Sequence, residues 1–85
     1  MIYKTTLIVR EKDNQLRDLG LDDTEVTRYY PVEFFIEDIK LHHGFDHETD
    51  DGEVVDGTII FFKDGNAISV LEPFEQISKQ RRKHD

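Results

Sequence analysis

Cysteine is absent from the 85 residues, which excludes a disulfide framework and a thiolate metal site. Long apolar runs are missing too, and nothing approaches the roughly 18–20 consecutive apolar residues of a membrane-spanning helix. Serine occurs only as Ser69 and Ser78, and Ser69 has no glycine elbow around it. There is no Gly-rich phosphate loop of the G-x-x-x-x-G-K-S/T kind and no internal repeat. A chain this short seldom builds a strand-supported pocket that excludes water. These absences lead to the expectation of a non-enzymatic protein that needs no cofactor. The opening Met1-Ile2-Tyr3-Lys4 lacks the charged-then-apolar pattern of a secretory signal, so the cytoplasm is the expected compartment.

Positive charge is also scarce. Eleven Lys and Arg stand against nineteen Asp and Glu, a net −8. The distribution is uneven: residues 79–85 hold four cations against Asp85, a balance of +3, which leaves −11 on the first 78 residues. An acidic body keeps a protein in solution and repels nucleic acid and anionic membranes. The length fits one small domain over 1–85 with a basic tail at 79–85 and little surplus stability, so a partner or self-association has room to matter.

The clearest structural signal is Thr58 to Ile77. Thr58, Ile59, Ile60, Phe61 and Phe62 are β-branched or aromatic, and four apolar residues in a row predict a strand covered on both faces. Asp64-Gly65 between two apolar runs predicts a two-residue hairpin turn, and Ala67–Leu71 the return strand. Pro73 suits the first turn of a helix over about 73–82, which docks Phe74 and Ile77 on the sheet. Upstream, Ile2–Val9 reads as a first strand and Thr24–Tyr30 as a second. The polar stretch Asp13–Asp23 reads as either a short helix or an extended loop. Residues 31–41 fit both a helical stripe and a half-wet strand; a tight turn at Pro31–Phe34 and a strand over about Phe35–His43 is the favoured reading. Gly44–Glu53 is a loop by composition.

Three features carry a resemblance. Pro31 enters a segment with Ile36 and Ile39 spaced along it. Thr58, Ile60, Asp64 and Gly65 make a T-x-I-x-x-x-D-G hairpin, and Val70, Glu72, Phe74, Glu75 and Ile77 lead from strand to helix. Over about residues 32–77 the chain resembles small bacterial and phage β-meander proteins, the FlbD-like flagellar motility family among them. The matching positions form the fold, so the resemblance implies a β-meander with a C-terminal helix and carries over no catalytic residue. The chain departs from that family in an added front strand and loop and an acidic insert at 44–56. In size, acidity and lack of cysteine it also resembles accessory proteins of bacteriophages, many of which bind and block a host factor.

The densest ligand-like cluster is His42, His43, Asp46, His47, Glu48, Asp50 and Asp51, types that suit zinc, nickel or manganese. His43, Asp46 and His47 are the candidate set, because adjacent His42 and His43 point to opposite faces of a strand. The spacing does not make a calcium loop, since Asp51 precedes Gly52. The alternative is a solvated loop, and no metal is expected. Asp46, Glu48, Asp50, Asp51, Glu53 and Asp56 form a stretch without Lys or Arg, and Asp22 and Asp23 add to it. Such an array fits a basic partner, or imitates a nucleic-acid backbone. The alternative function is RNA or DNA binding through Lys79, Arg81, Arg82 and Lys83 with surface aromatics; the same cations also suit the negative end of a helix dipole.

The expected architecture is α+β: an antiparallel meander of four or five strands with a short C-terminal helix. The expected core is Leu7, Val9, Val26, Phe35, Ile36, Ile39, Leu41, Ile59, Phe61, Ile68, Val70, Phe74 and Ile77. The expected function is a small protein-binding module that modulates its partner.

Overall fold

The computed structural model describes residues 1–12 and 25–83. Among these residues five strands and one helix follow in order: β1 (Ile2–Lys12), β2 (Glu25–Phe35), β3 (Ile39–Glu48), β4 (Val54–Phe62), β5 (Ala67–Val70) and α1 (Phe74–Lys83), with one 3₁₀ turn (Ile36–Asp38) between β2 and β3. The strands form a single antiparallel sheet of order β2-β1-β5-β4-β3. The meander with a C-terminal helix is therefore the fold. The stretch 13–24, read as helix or loop and including Asp22 and Asp23, lies outside the described residues.

β3, β4 and β5 are joined by two turns built on one plan. In each, three residues ending in Asp-Gly lie inside a closing backbone hydrogen bond: Asp50-Asp51-Gly52 within Thr49 N–H to Glu53 O, and Lys63-Asp64-Gly65 within Phe62 N–H to Asn66 O, each 2.8 Å. The glycines take φ of 86° and 96°, the left-handed conformation that a side chain opposes. Their N–H groups donate to Thr49 O at 2.9 Å and Phe62 O at 3.1 Å. The hairpin at Asp64-Gly65 is thus present, but three residues and not two lie inside its closing Phe62–Asn66 hydrogen bond. The extra residue lets a turn followed by a left-handed glycine match the strand twist. The same chemistry at Asp51-Gly52 extends β3 through Gly44–Glu48, so the expected loop over 44–53 shrinks to a turn.

Pro31 is not a turn residue; it lies within β2, opposite Thr6. β2 is an edge strand, which needs ladder bonds on one side only and so accommodates a residue without an N–H. The turn comes later. Ile36 and Ile39 lie three apart across the 3₁₀ turn, where that spacing stacks side chains on one side. Both are buried, and Ile36 N–H donates to Met1 O at 3.1 Å. The ambiguity of 31–41 thus resolves as strand, one 3₁₀ turn and strand. Lys40 is the extra residue of a bulge, since Ile39 faces Phe62 and Leu41 faces Phe61.

One face of β4, carrying Thr58 and Ile60, is fully buried under the helix, while Ile59 and Phe61 on the other are half-buried. Leu7, Val70 and Thr58 stand side by side, so they share a face. On that face α1 docks the fully buried Ile77 against Ile36, Ile39, Ile60 and Val70, with Tyr3, Val32, Phe34, Phe62 and Ile68 around them. Each of these buried aliphatics contributes roughly 1.5–3 kcal/mol. Ile8, Ser69 and Ile59 turn to the opposite face, together with Tyr29 and His47. There the sheet curls until its edges meet: Tyr29 Oη on β2 lies 3.0 Å from His47 Nε2 on β3.

The expected core has the right elements with partly wrong faces. Ile36, Ile39, Val70 and Ile77 are buried. Ile60 replaces Ile59 and Phe61 at the centre, because even-numbered residues of β4 face the helix. Phe35 (53% exposed) and Leu41 (44%) lie outside, and Phe34 packs in Phe35's stead. Phe74, 40% exposed, stands at the helix margin. No described helix is long and apolar enough to cross a membrane.

Candidate functional site

The acidic stretch folds as the β3–β4 hairpin, and its six carboxylates are not equivalent. Asp50 at the tip is committed to structure. It accepts the Thr27 N–H at 3.1 Å and the Thr27 hydroxyl at 3.0 Å, tying the hairpin to β2. These bonds, the backbone one first, hold its pKa below the usual carboxylate value, with Arg10 and His47 adding to the effect. Glu48, Asp51 and Glu53 are exposed around the turn.

Asp46 and Asp56 face each other directly across β3 and β4. Like charges in that position repel, and neither has an ion-pair or hydrogen-bond partner among the described residues. They line one side of an open groove of about 470 Å³ whose other side is Pro73, Phe74 and Glu75 at the start of α1. Gly44, Phe45 and Gly57 form its floor, and the Phe45 ring turns to the other face of β3 beside His47. The glycines are there for close approach: a Cβ on Gly57 would stand 2.8 Å from the Phe45 ring, and one on Gly44 3.1 Å from Phe74 Cβ. Three carboxylates thus border an apolar trough, a setting suited to a cation on an aliphatic stem.

The histidines part company. His43 and His47 lie on one face of β3 and Asp46 on the other, by strand alternation. His47 is buried, bonded to Tyr29 and flanked edge-on by Phe45. His43 is exposed beside Phe61. Among the described residues no three His, Cys, Asp or Glu side chains gather as a metal site would require.

His42 turns to the helix, where Phe74 stacks on it with ring centres 4.6 Å apart. Its Nε2 lies 3.0 Å from Ser78 Oγ and its Nδ1 3.1 Å from Arg81 Nη1. A guanidinium only donates. Nδ1 is therefore the acceptor, and the neutral ring carries its proton on Nε2, directed at Ser78. That is the reverse of what a base needs to activate a serine.

Arg81 also reaches the carbonyls of Ile39 and Lys40, each at 3.4 Å. Of the basic set, Lys79, Arg82 and Lys83 remain exposed. The hydroxyls of Tyr29 and Tyr30 are engaged, the latter donating to Glu11 at 3.0 Å. A second open groove, about 660 Å³, lies at the other end of β4 between Phe34, Phe35, Phe62 and Ile68.

Phe45, Phe74 and Glu75 were not among the expected site residues. Their signal was Gly44 and Gly57: a glycine inside a strand marks a place where another group comes close. The fold and this groove together describe a small α+β meander with an acid-rimmed trough. No family model, curated protein or solved structure matches the chain.

Proposed function

We propose that the protein is a non-enzymatic interaction module whose groove between the β3–β4 hairpin and the start of α1 receives a basic segment of a protein partner. One observation carries this reading: Asp46 and Asp56 are held opposite each other and, with Glu75, border a trough walled by Pro73 and Phe74. Holding like charges together costs folding energy, and a lysine or arginine entering the groove offsets that repulsion. Lysine and arginine stems are apolar and their heads cationic, which matches an apolar floor beneath an acidic rim. A module that covers a basic surface of its partner blocks whatever else binds there, nucleic acid included. This is the sense in which it modulates.

The test is a titration of the ¹⁵N-labelled protein with a short peptide rich in lysine and arginine. Shifts centred on Phe45, Asp46, Asp56 and Phe74, weakened by salt and lost in Asp46→Asn/Asp56→Asn, support the reading. Shifts confined to Lys79–Lys83 with an RNA oligonucleotide, and none with the peptide, would replace it with nucleic-acid binding.

A further inference from the structure

Arg81 joins the last turns of α1 to the start of β3. Its Nη1 donates to His42 Nδ1 at 3.1 Å, and its Nη2 points at the carbonyls of Ile39 and Lys40. His42 completes the join through Nε2 and Ser78 Oγ at 3.0 Å. Both ring nitrogens are thus occupied, one accepting and one donating.

We propose that His42 and Arg81 form a proton-sensitive latch, closed while the imidazole is neutral and opened when Nδ1 takes a proton. Protonation turns the acceptor of the Arg81 bond into a second donor aimed at a donor. It also places two cations at hydrogen-bond distance. Arg81 can relieve this only by swinging away, and it then gives up its place beside the two β3 carbonyls as well. The last turns of α1 lose their tie to the sheet, while Ile77, one turn earlier, keeps the first half of the helix docked.

The groups facing the ring decide how readily this happens. From α1, Arg81 opposes the added charge, whereas Glu75 and the face of Phe74 favour it. From β4, the residue opposite is Ile60, apolar and fully buried. Along β3, Leu41 and His43 alternate to the other face. Burial and Arg81 outweigh Glu75 and bring the His42 pKa below its ordinary 6.5. The sign follows: a closed latch disfavours the proton, so the latch is intact above about pH 6.5 and weakens as pH falls through the depressed midpoint.

The experiment is an NMR titration of the His42 ring with amide-exchange protection factors measured across Ser78–Lys83. Protection is expected to fall with the same midpoint as His42. The fall is about tenfold for each pH unit by which the closed state depresses that midpoint. Arg81→Gln is expected to raise the His42 midpoint and flatten the protection profile, and His42→Gln to abolish the step. Ser78→Ala keeps the His42–Arg81 bond and is expected to keep the step. A His42 midpoint unmoved by Arg81→Gln would overturn the proposal. So would a step in protection that survives in His42→Gln. Should His42→Gln fail to fold, the Arg81→Gln titration decides alone, because that side chain sits on the outer turn of the helix.

Discussion

Tyr29 and His47 share a 3.0 Å hydrogen bond although their strands are the two edges of the same sheet. The bond is a clasp across the curl, and His47 is buried beneath it. Tyr29→Phe removes the hydroxyl and leaves Nε2 without its partner. The expected loss is about 1–3 kcal/mol, read as a lowered urea midpoint with unchanged slope. A changed slope would mean that the edges separate in the native state.

The second clasp, Thr27 to Asp50, makes a pH prediction. The folded pKa of Asp50 lies below its ordinary 3.8, so its contribution is present above that value and is lost as pH falls through the depressed one. Stability of the natural protein and of Asp50→Asn should converge as pH falls below about 4 and stay apart at neutrality. Parallel curves over that range would show that the carboxylate is not held by Thr27.

Asp46→Asn separates folding from binding. Removing one of two facing like charges is expected to stabilise the fold by a few tenths of a kcal/mol. The same change is expected to weaken the complex with a basic peptide. Thermal melts and the peptide titration should therefore move in opposite directions. A variant that loses both stability and binding would mark Asp46 as a structural residue.

Gly57 provides a packing test. An added Cβ meets the Phe45 ring at 2.8 Å and Val70 O at 3.3 Å. Gly57→Ala is expected to cost about 1–3 kcal/mol. In a Phe45→Ala background the cost should shrink, and the double-mutant cycle measures that coupling.

Thr58 is fully buried, and its hydroxyl donates to Glu72 O at 2.6 Å. Thr58→Val keeps the shape and strands that carbonyl. A loss of about 1–2 kcal/mol in chemical denaturation is expected.

Local chemistry made much of this fold readable. Asp64-Gly65 announced its hairpin, Pro73 its helix, and Ile77 its buried face. Asp51-Gly52 carries the same signal, but the acids around it read as a binding loop and masked a turn. Pro31 misled because a breaker within the chain and a residue on a sheet edge look alike until strand order is known. The faces of β4 were equally hidden: Ile59, Ile60, Phe61 and Phe62 are all apolar, so alternation could not say which pair meets the helix. The groove was the least legible part. It joins Asp46 and Asp56 to Phe74 and Glu75, and only tertiary packing brings a hairpin and a helix start together. The basic set read as one patch, yet Arg81 is drawn inward by His42, a contact that no spacing along the chain encodes.

Leu7 pairs with Val70, sixty-three positions further on. The adjoining backbone supports the same join: Leu71 N–H donates to Thr6 O at 2.9 Å, and the Thr5 hydroxyl to Glu72 Oε1 at the same distance. The β1–β2 pair therefore has no backbone ladder to the other described strands until β5 exists. On a ribosome it waits, with its apolar side unclaimed, for nearly the whole described chain to emerge. Such long-range closure is entropically slow. Refolding should accordingly run on the millisecond-to-second scale of β-rich domains rather than the microseconds of helical ones, and truncation before β5 should leave a chain that chaperones hold and proteases clear.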